Sequence, residues 1–520
     1  MIKHLFGAAV FAATLCFGAE QSVAQDVTLT SRDGSIQVSG ALTSFDGEFY
    51  RIETEYGQLV LDGQGVVCSG PGCPDLEAYV AEFTLSGDPK LGRLLIPALL
   101  ESYADRRGLA VTRIVEGADA FRLILRDENA GRDVARIEVR QNSTAEGFAD
   151  LVTGEADITM AARPVRGDEV ALGQTAGLGD LSEPGRSRVV ALDAVIPVVA
   201  LGNPVTSMQV EDLGAILSGA VTEWPGEQGS VVLHGLENGT GPRQAVQDGL
   251  LASLGLTLSE DMRRHNSDAE VADAVAQDVN ALAVVGLSER GNALPVTLRG
   301  GCGIPLPATR HSLKTGDYPF TAPLFLYLPE RRLPLFAREF LRYLRSPAAQ
   351  LVIRRAGFVD QSREEIGIAN QGLRLANAIG IAGGDVPLNQ VQGLLADLGD
   401  ARRLTTTFRF EGGQSRLEPQ SAGNVISLAR DLESGLYDDQ ELIFVGFSDG
   451  EGGWEVNKRL SQTRAEAVRE AVRTAALTAD PSRLRLSVAG YGEALPIACD
   501  DTDWGKRVNR RVEVWVRDLR

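Results

Sequence analysis

Histidine is almost absent. The 520 residues hold four, and none is spaced with a Cys, Asp or Glu in a ligand pattern, which argues against a metal centre. Basic residues are outnumbered by acidic ones, 51 to 70, for a formal net charge of −19, and no basic cluster offsets this. Such a chain is a poor binder of nucleic acid and has no electrostatic affinity for an anionic membrane. Nucleophile elbows, zinc motifs and Cys–His arrangements are missing. Gly380 to Gly384 does not open a helix after a strand as a phosphate-binding loop would. Carboxylates are too plentiful for a chance pair to argue for a wall hydrolase. The chain is therefore expected to be no enzyme and to need no cofactor. Beyond the first residues, no apolar run reaches spanning length without charges.

The first residues have the form of an export signal. Lys3 and His4 precede an apolar run from Leu5 to Phe17, and Ser22-Val23-Ala24 offers small residues for cleavage before Gln25. Leu15 before Cys16 does not fit a lipoprotein signal. Apart from Cys16 there are four cysteines, for which disulfides are the default in an oxidising compartment. The ends of the turn Cys68-Ser69-Gly70-Pro71-Gly72-Cys73 could bridge; Cys302 and Cys499 could be paired or free.

The length allows two to four domains. Residues 26–74 alternate apolar and polar positions, with turns at Asp33-Gly34, Asp46-Gly47 and Asp62-Gly63, as in a small β module. Residues 80–358 alternate strands with helices, an α/β pattern. Residues 359–403 read as a partly structured linker, and a final domain begins near Leu404. The expected division is 1–24 signal, 25–78 β module, 79–358 α/β domain, 359–403 linker and 404–520 C-terminal domain.

In the final domain, strand text ending in Gly446-Phe447-Ser448-Asp449 leads to a helix. A wheel from Asn457 places Leu460, Ala467, Val468, Ala471, Val472 and Ala475 on one stripe, with Arg464 in its middle. A guanidinium on a core-facing side needs a carboxylate, and Asp449 is the nearest candidate in the chain. Asp449, Asn457 and Arg464 together would form a polar socket for a ligand carrying both an amine and a carboxylate.

The stretch Phe447-Ser448-Asp449-Gly450 through Asn457-Lys458-Arg459-Leu460-Ser461-Gln462-Thr463-Arg464-Ala465 resembles the OmpA C-terminal-like, peptidoglycan-binding domain. Gly490-Tyr491-Gly492-Glu493 and Asn509-Arg510-Arg511-Val512-Glu513-Val514 continue the likeness over about 404–520. The resemblance implies an α+β domain in which Asp449 and Arg464, with Asn457, hold the diaminopimelate end of the wall stem peptide. An Asp for the ammonium and an Arg for the carboxylate suit that zwitterion. Ser448 replaces the family's usual Thr. A wall-binding protein of a diderm bacterium would be periplasmic, and outer-membrane or wall association would follow.

Three places in the α/β domain join a strand, a small polar loop and a helix start. They are Ser86-Gly87-Asp88-Pro89, Ser143-Thr144-Ala145-Glu146 (a capping-box spacing) and Asn238-Gly239-Thr240-Gly241-Pro242. Helix starts present unpaired N–H groups, and several in one cleft make an anion site. With Gly154-Glu155-Ala156-Asp157-Ile158, Ala162-Arg163-Pro164 and Leu213 to Trp224, the domain resembles phosphate-type periplasmic solute-binding proteins. The resemblance implies two α/β lobes around a small anion such as phosphate, held by Ser86, Gly87, Ser143, Thr144, Arg163, Asn238, Gly239 and Thr240. An inner-membrane transporter or sensor would be a partner. His234 stands where the family has an arginine, Ala162 departs from its second site, and Asp88 would oppose a dianion. A wall-associated scaffold or partner-binding protein that has lost its ligand therefore stays open as the alternative.

Overall fold

The computed structural model describes residues 26–76, 78–183, 185–226, 229–237, 246–383, 386–410 and 416–519. The expected signal, residues 1–24, and the third loop, Asn238-Gly239-Thr240, lie outside them. The chain forms two compact units, up to Ala81 and from Glu82 onward.

The first unit is an antiparallel sheet of five strands in the order Gly57–Asp62, Phe49–Thr54, Gln37–Phe45, Asp26–Ser31, Val66–Ser69. The alternation read from the sequence buries Val27, Leu29, Tyr50 and Ile52 on one face. Cys68 and Cys73 form a disulfide.

The second unit contains the two-lobed α/β domain and the C-terminal domain. The lobes share the long strand Ser187–Val199. Its first part, Ser187 to Ala194, pairs with Thr321–Tyr327, which belongs to the first lobe with Ile158–Ala161, Ala81–Gly87 and Arg132–Gln141. Its second part, Val195 to Val199, pairs with Ala281–Gly286 of the second lobe. The strand changes partner between Ala194 and Val195, next to Asp193. Gly154, at φ 79°, ends the helix Thr144–Thr153 as the sequence pattern required. Val210, Leu213, Ile216 and Leu217 predict a helix over Ser207 to Leu217, and the observed helix is shorter. Ser207–Gln209 is a strand paired with Thr297–Arg299, and the helix occupies Val210–Leu217.

The C-terminal sheet runs Glu365–Ile366, Arg402–Arg409, Arg511–Asp518, Gln440–Gly446, Leu486–Gly490. Both faces are covered. Leu442 and Phe444 face helices Pro419–Glu433 and Trp454–Ala475. Ile443 and Val445 face helices Gly372–Ile381 and Leu388–Leu398. Residues 359–403, expected as a linker, thus supply a strand and one helical layer of this domain.

Val468 and Val472 of the stripe read from the sequence are buried and Ala471 and Ala475 pack against the same core, but the edge with Leu460 and Ala467 needs correcting. Asn457, Ser461, Ala465, Val468 and Val472 are the buried positions of helix Trp454–Ala475, whereas Leu460 is 41% exposed and Ala467 faces solvent. The cause is close approach. A Cβ on Gly446 would lie 1.9 Å from the Ser461 carbonyl oxygen, and one on Gly490 would lie 2.6 Å from the Gln462 nitrogen. Two glycines at the strand ends let the helix backbone touch the sheet, so the small Ser461 faces inward. Arg464 falls at the edge of the buried stripe.

Charge holds this domain to the α/β domain. Glu513 is fully buried and accepts hydrogen bonds from Arg374 (2.6 Å), Arg511 (2.7 Å) and the Trp515 indole (3.1 Å), with Arg403 3.1 Å away. Arg403 also donates to Asp317 of the α/β domain at 2.9 Å, and Arg409 donates to Asp317 and to the Thr315 carbonyl. Cys302 and Cys499 close a disulfide across the same junction. Burial alone would raise the pKa of Glu513, but Arg374, Arg403 and Arg511 outweigh it and hold the carboxyl far below the usual range. Stability from this group is therefore present above the unfolded glutamate pKa of about 4 and is lost as pH falls toward the folded value. Glu513→Ala should cost about 3–5 kcal/mol at pH 7 by urea denaturation, with the deficit shrinking in acid. An unchanged midpoint would contradict this account.

Candidate functional site

The motif residues of the C-terminal domain gather at the end of strand Gln440–Gly446. Asp449 is buried, and Arg510 donates to its Oδ2 at 2.6 Å. The loop is pinned beside it: the Gly450 N–H donates to Asp500 at 2.7 Å, and Asn509 donates to the same carboxylate at 2.9 Å. The Ser448 N–H donates to the Gly492 carbonyl, and the Trp454 ring lies against Gly492.

Asp449 was expected to meet Arg464. Arg510 takes that place, and Asp449 and Arg464 share no hydrogen bond or ion pair. Arg464 is half-buried, with its guanidinium 5.8 Å from the Phe410 ring centre. Burial and then the nearby Arg510 disfavour its charge, while Asp449 favours it, so the three groups sense one another. Arg464 Nη1, Asn457 Nδ2, Ser448 Oγ and Trp454 Nε1 are each buried without a hydrogen-bond partner. Orphaned donors are expensive, and these four belong to the loop and the helix that follow strand Gln440–Gly446. Arg510 was not singled out as a site residue from sequence, although it stands in the Asn509-Arg510-Arg511 text.

In the α/β domain the first two loops do meet. A Cβ on Gly147 would lie 2.7 Å from the Ser86 carbonyl oxygen, and the Asn142 N–H donates to the Gly87 carbonyl. Gly87, at φ 132°, leaves no room for a side chain against the Met160 carbonyl. Among the described residues, each side chain expected to hold an anion is nevertheless bonded within the protein. The Ser86 hydroxyl donates to Asp150. Ser143 accepts from the Glu146 N–H, with Glu146 completing the capping box. Thr144 accepts from the Ala162 N–H. Arg163 forms a two-pronged pair with Glu169 at 2.9 and 2.6 Å. His234 stacks on His265, 2.9 Å apart between ring nitrogens, and burial first and His265 second lower its pKa.

Between the lobes the charges are those of a cation site already filled. Asp88 accepts from the N–H groups of Lys90 and Leu91, placing a carboxylate at the helix start. Lys90 Nζ lies 3.0 Å from Asp268, 3.3 Å from Asp193 and 3.7 Å from Glu289. Asp193 sits at the partner change of the shared strand and accepts from the Ser288 N–H and hydroxyl; Asp268 opens a second-lobe helix. Burial alone would lower the Lys90 pKa, but Asp193, Asp268 and Glu289 together raise it well above its ordinary value. The ammonium of the first lobe thus fastens the second.

With this geometry in view, the comparisons with known proteins fall into place. The family model described as PBP superfamily domain matches residues 113–348, and that of the OmpA family matches residues 409–510. The outer-membrane lipoprotein YfiB of Pseudomonas aeruginosa is 30% identical over 138 residues, 26% of this chain and 79% of that protein. The chain belongs to the OmpA family, with a PBP-superfamily domain ahead of its OmpA-like part. The probable lipoprotein YiaD of Escherichia coli is 36% identical over 110 residues, 21% of this chain. The chain spans about half, 48%, of the length of that relative. Protein SphX of Synechococcus elongatus is 26% identical over 260 residues, covering 46% of this chain and 73% of that protein. The chain thus joins a solute-binding type of fold to an OmpA-like domain, an organisation consistent with the cell envelope.

The Lys90 cluster makes a direct prediction. Lys90→Met leaves Asp88, Asp193 and Asp268 without their cation, with Arg93 still on Glu289, and should lower stability by about 3 kcal/mol at pH 7. The deficit should narrow as pH falls through about 4, where carboxylates take up protons in both proteins. Denaturation curves that superimpose at pH 7 would rule out the clasp.

Proposed function

We propose that this is a non-enzymatic periplasmic protein anchored to peptidoglycan through Asp449, Asn457 and Arg464. In this reading, the ligand is the zwitterionic end of a diaminopimelate stem peptide. Its carboxylate would go to Arg464 and Asn457, and its ammonium to the open side of Asp449, with Arg510 fixing the orientation of that carboxylate. Arg464 Nη1 and Asn457 Nδ2, two turns apart on one helix and each buried without a partner, carry the reading.

The two-lobed domain serves best as a wall-associated scaffold or partner-binding module. Its cleft is closed by its own lysine, and the surrounding carboxylates repel an incoming dianion. A second reading, capture of a small anion such as phosphate for an inner-membrane transporter or sensor, is favoured by one observation. The Ser86-Gly87 loop and the capped helix start at Ser143-Thr144 converge, as an anion cradle would require.

Purified sacculi should retain the wild type in a pull-down and lose most of the Asp449→Ala and Arg464→Ala variants. Equal retention of all three would end the anchoring proposal. Millimolar phosphate should leave the small-angle scattering profile of the full chain unchanged. A contraction of the particle on adding phosphate would favour capture instead.

A further inference from the structure

A second basic site lies away from both regions described above. A crevice of about 480 Å³ separates the start of strand Ser187–Val199 from helix Pro419–Glu433 of the OmpA-like domain. A volume of this order suits a small-molecule ligand. Arg188, Arg345 and Arg430 line it. Arg188 donates to the Leu341 carbonyl at 3.1 Å, but its Nε is buried without a partner. None of the three arginines has a carboxylate partner among the described residues. The acid in the lining, Asp431, is taken by an ion pair with Arg363. The Nε2 of Gln361, also in the lining, is a further buried donor with no acceptor. Of the other cations in the lining, Arg363 is paired with Asp431, and Lys314 is excluded because its ammonium is bonded to Asp360 and Glu364.

In a chain with a net charge of −19, unpaired arginines facing one another across a crevice need an explanation. Burial and the proximity of Arg430 both disfavour the charge on Arg188, and no carboxylate relieves it. An arginine kept there without a counter-charge costs stability unless something supplies one. The groups left without acceptors are donors, a guanidinium N–H and an amide NH₂. Their complement is an acceptor-rich anion, and guanidinium forks match carboxylate and phosphate geometry.

We infer that the crevice between the α/β and OmpA-like domains is a binding site for a small oxyanion of carboxylate or phosphate type, held by Arg188, Arg430 and Gln361. This goes beyond the wall-anchoring function and does not depend on it. An anion here would touch the first residues of the strand shared by both lobes and, across the crevice, a helix of the wall-binding domain.

The test is calorimetric titration of the full chain with inorganic phosphate and with citrate, the two head-group chemistries. At least one should give saturable heat with the wild type, and whichever binds more tightly names the head group. Arg188→Gln and Arg430→Gln should each weaken it tenfold or more. Arg430 is exposed, so an unchanged urea midpoint of Arg430→Gln checks that this variant is folded. No saturable heat with either probe would overturn the inference. So would undiminished binding by both arginine variants, or loss in Thr144→Val in their place, which would assign the anion to the lobes.

Discussion

One buried carboxylate organises the C-terminal half of the molecule. Glu513, with no contact with solvent, draws in Arg374 from one helical layer, Arg403 from the neighbouring strand and Arg511 from its own strand. Arg403 in turn reaches Asp317 in the α/β domain. Charges this deep are tolerated because each meets an opposite charge or a carbonyl; removing one would strand the others. The disulfide between Cys302 and Cys499 closes a second link across the same junction. The α/β and OmpA-like domains are for this reason a single body rather than two beads on a string, and Asp449 and Arg464 are carried on a braced frame.

The same rule of pairing separates the sites. Between the lobes, Lys90 meets three carboxylates, so the electrostatic demand there is met from within. At the wall site Asp449 has Arg510, whereas Arg464 and Asn457 keep donors unused. A protein interior leaves few buried donors without acceptors, and each one calls for an explanation. The OmpA-like corner thus keeps unused donors, whereas the interlobe carboxylates have a lysine of the chain itself.

Much of this was legible in the chain because the signals were local. The capping box at Ser143 and Glu146, the glycine that ends its helix and the tight turn between Cys68 and Cys73 are short-range features, and the structure contains all three. The two-domain resemblance rested on ordered motifs, and both families match. What escaped was long-range or depended on backbone approach. Lys90 finds Asp193 and Asp268 across more than a hundred residues, and no spacing rule predicts that. Arg510 was visible in its motif, but nothing local tells which of two adjacent arginines turns toward Asp449 and which toward Glu513. One edge of the helix face was misread because a wheel counts apolarity. Gly446 and Gly490 instead admit Ser461 to the interior by removing the side chains that would hold the helix off.

The central claim is that Arg464 and Asn457 wait for the carboxylate of a zwitterion whose ammonium reaches Asp449. The most direct measurement is calorimetry of the full chain with a soluble stem peptide ending in diaminopimelate, beside an analogue ending in lysine, which lacks the terminal carboxylate. The account predicts saturable binding of the first and at least tenfold weaker binding of the second, a preference that Arg464→Ala should abolish. Equal affinity for the two peptides would contradict it.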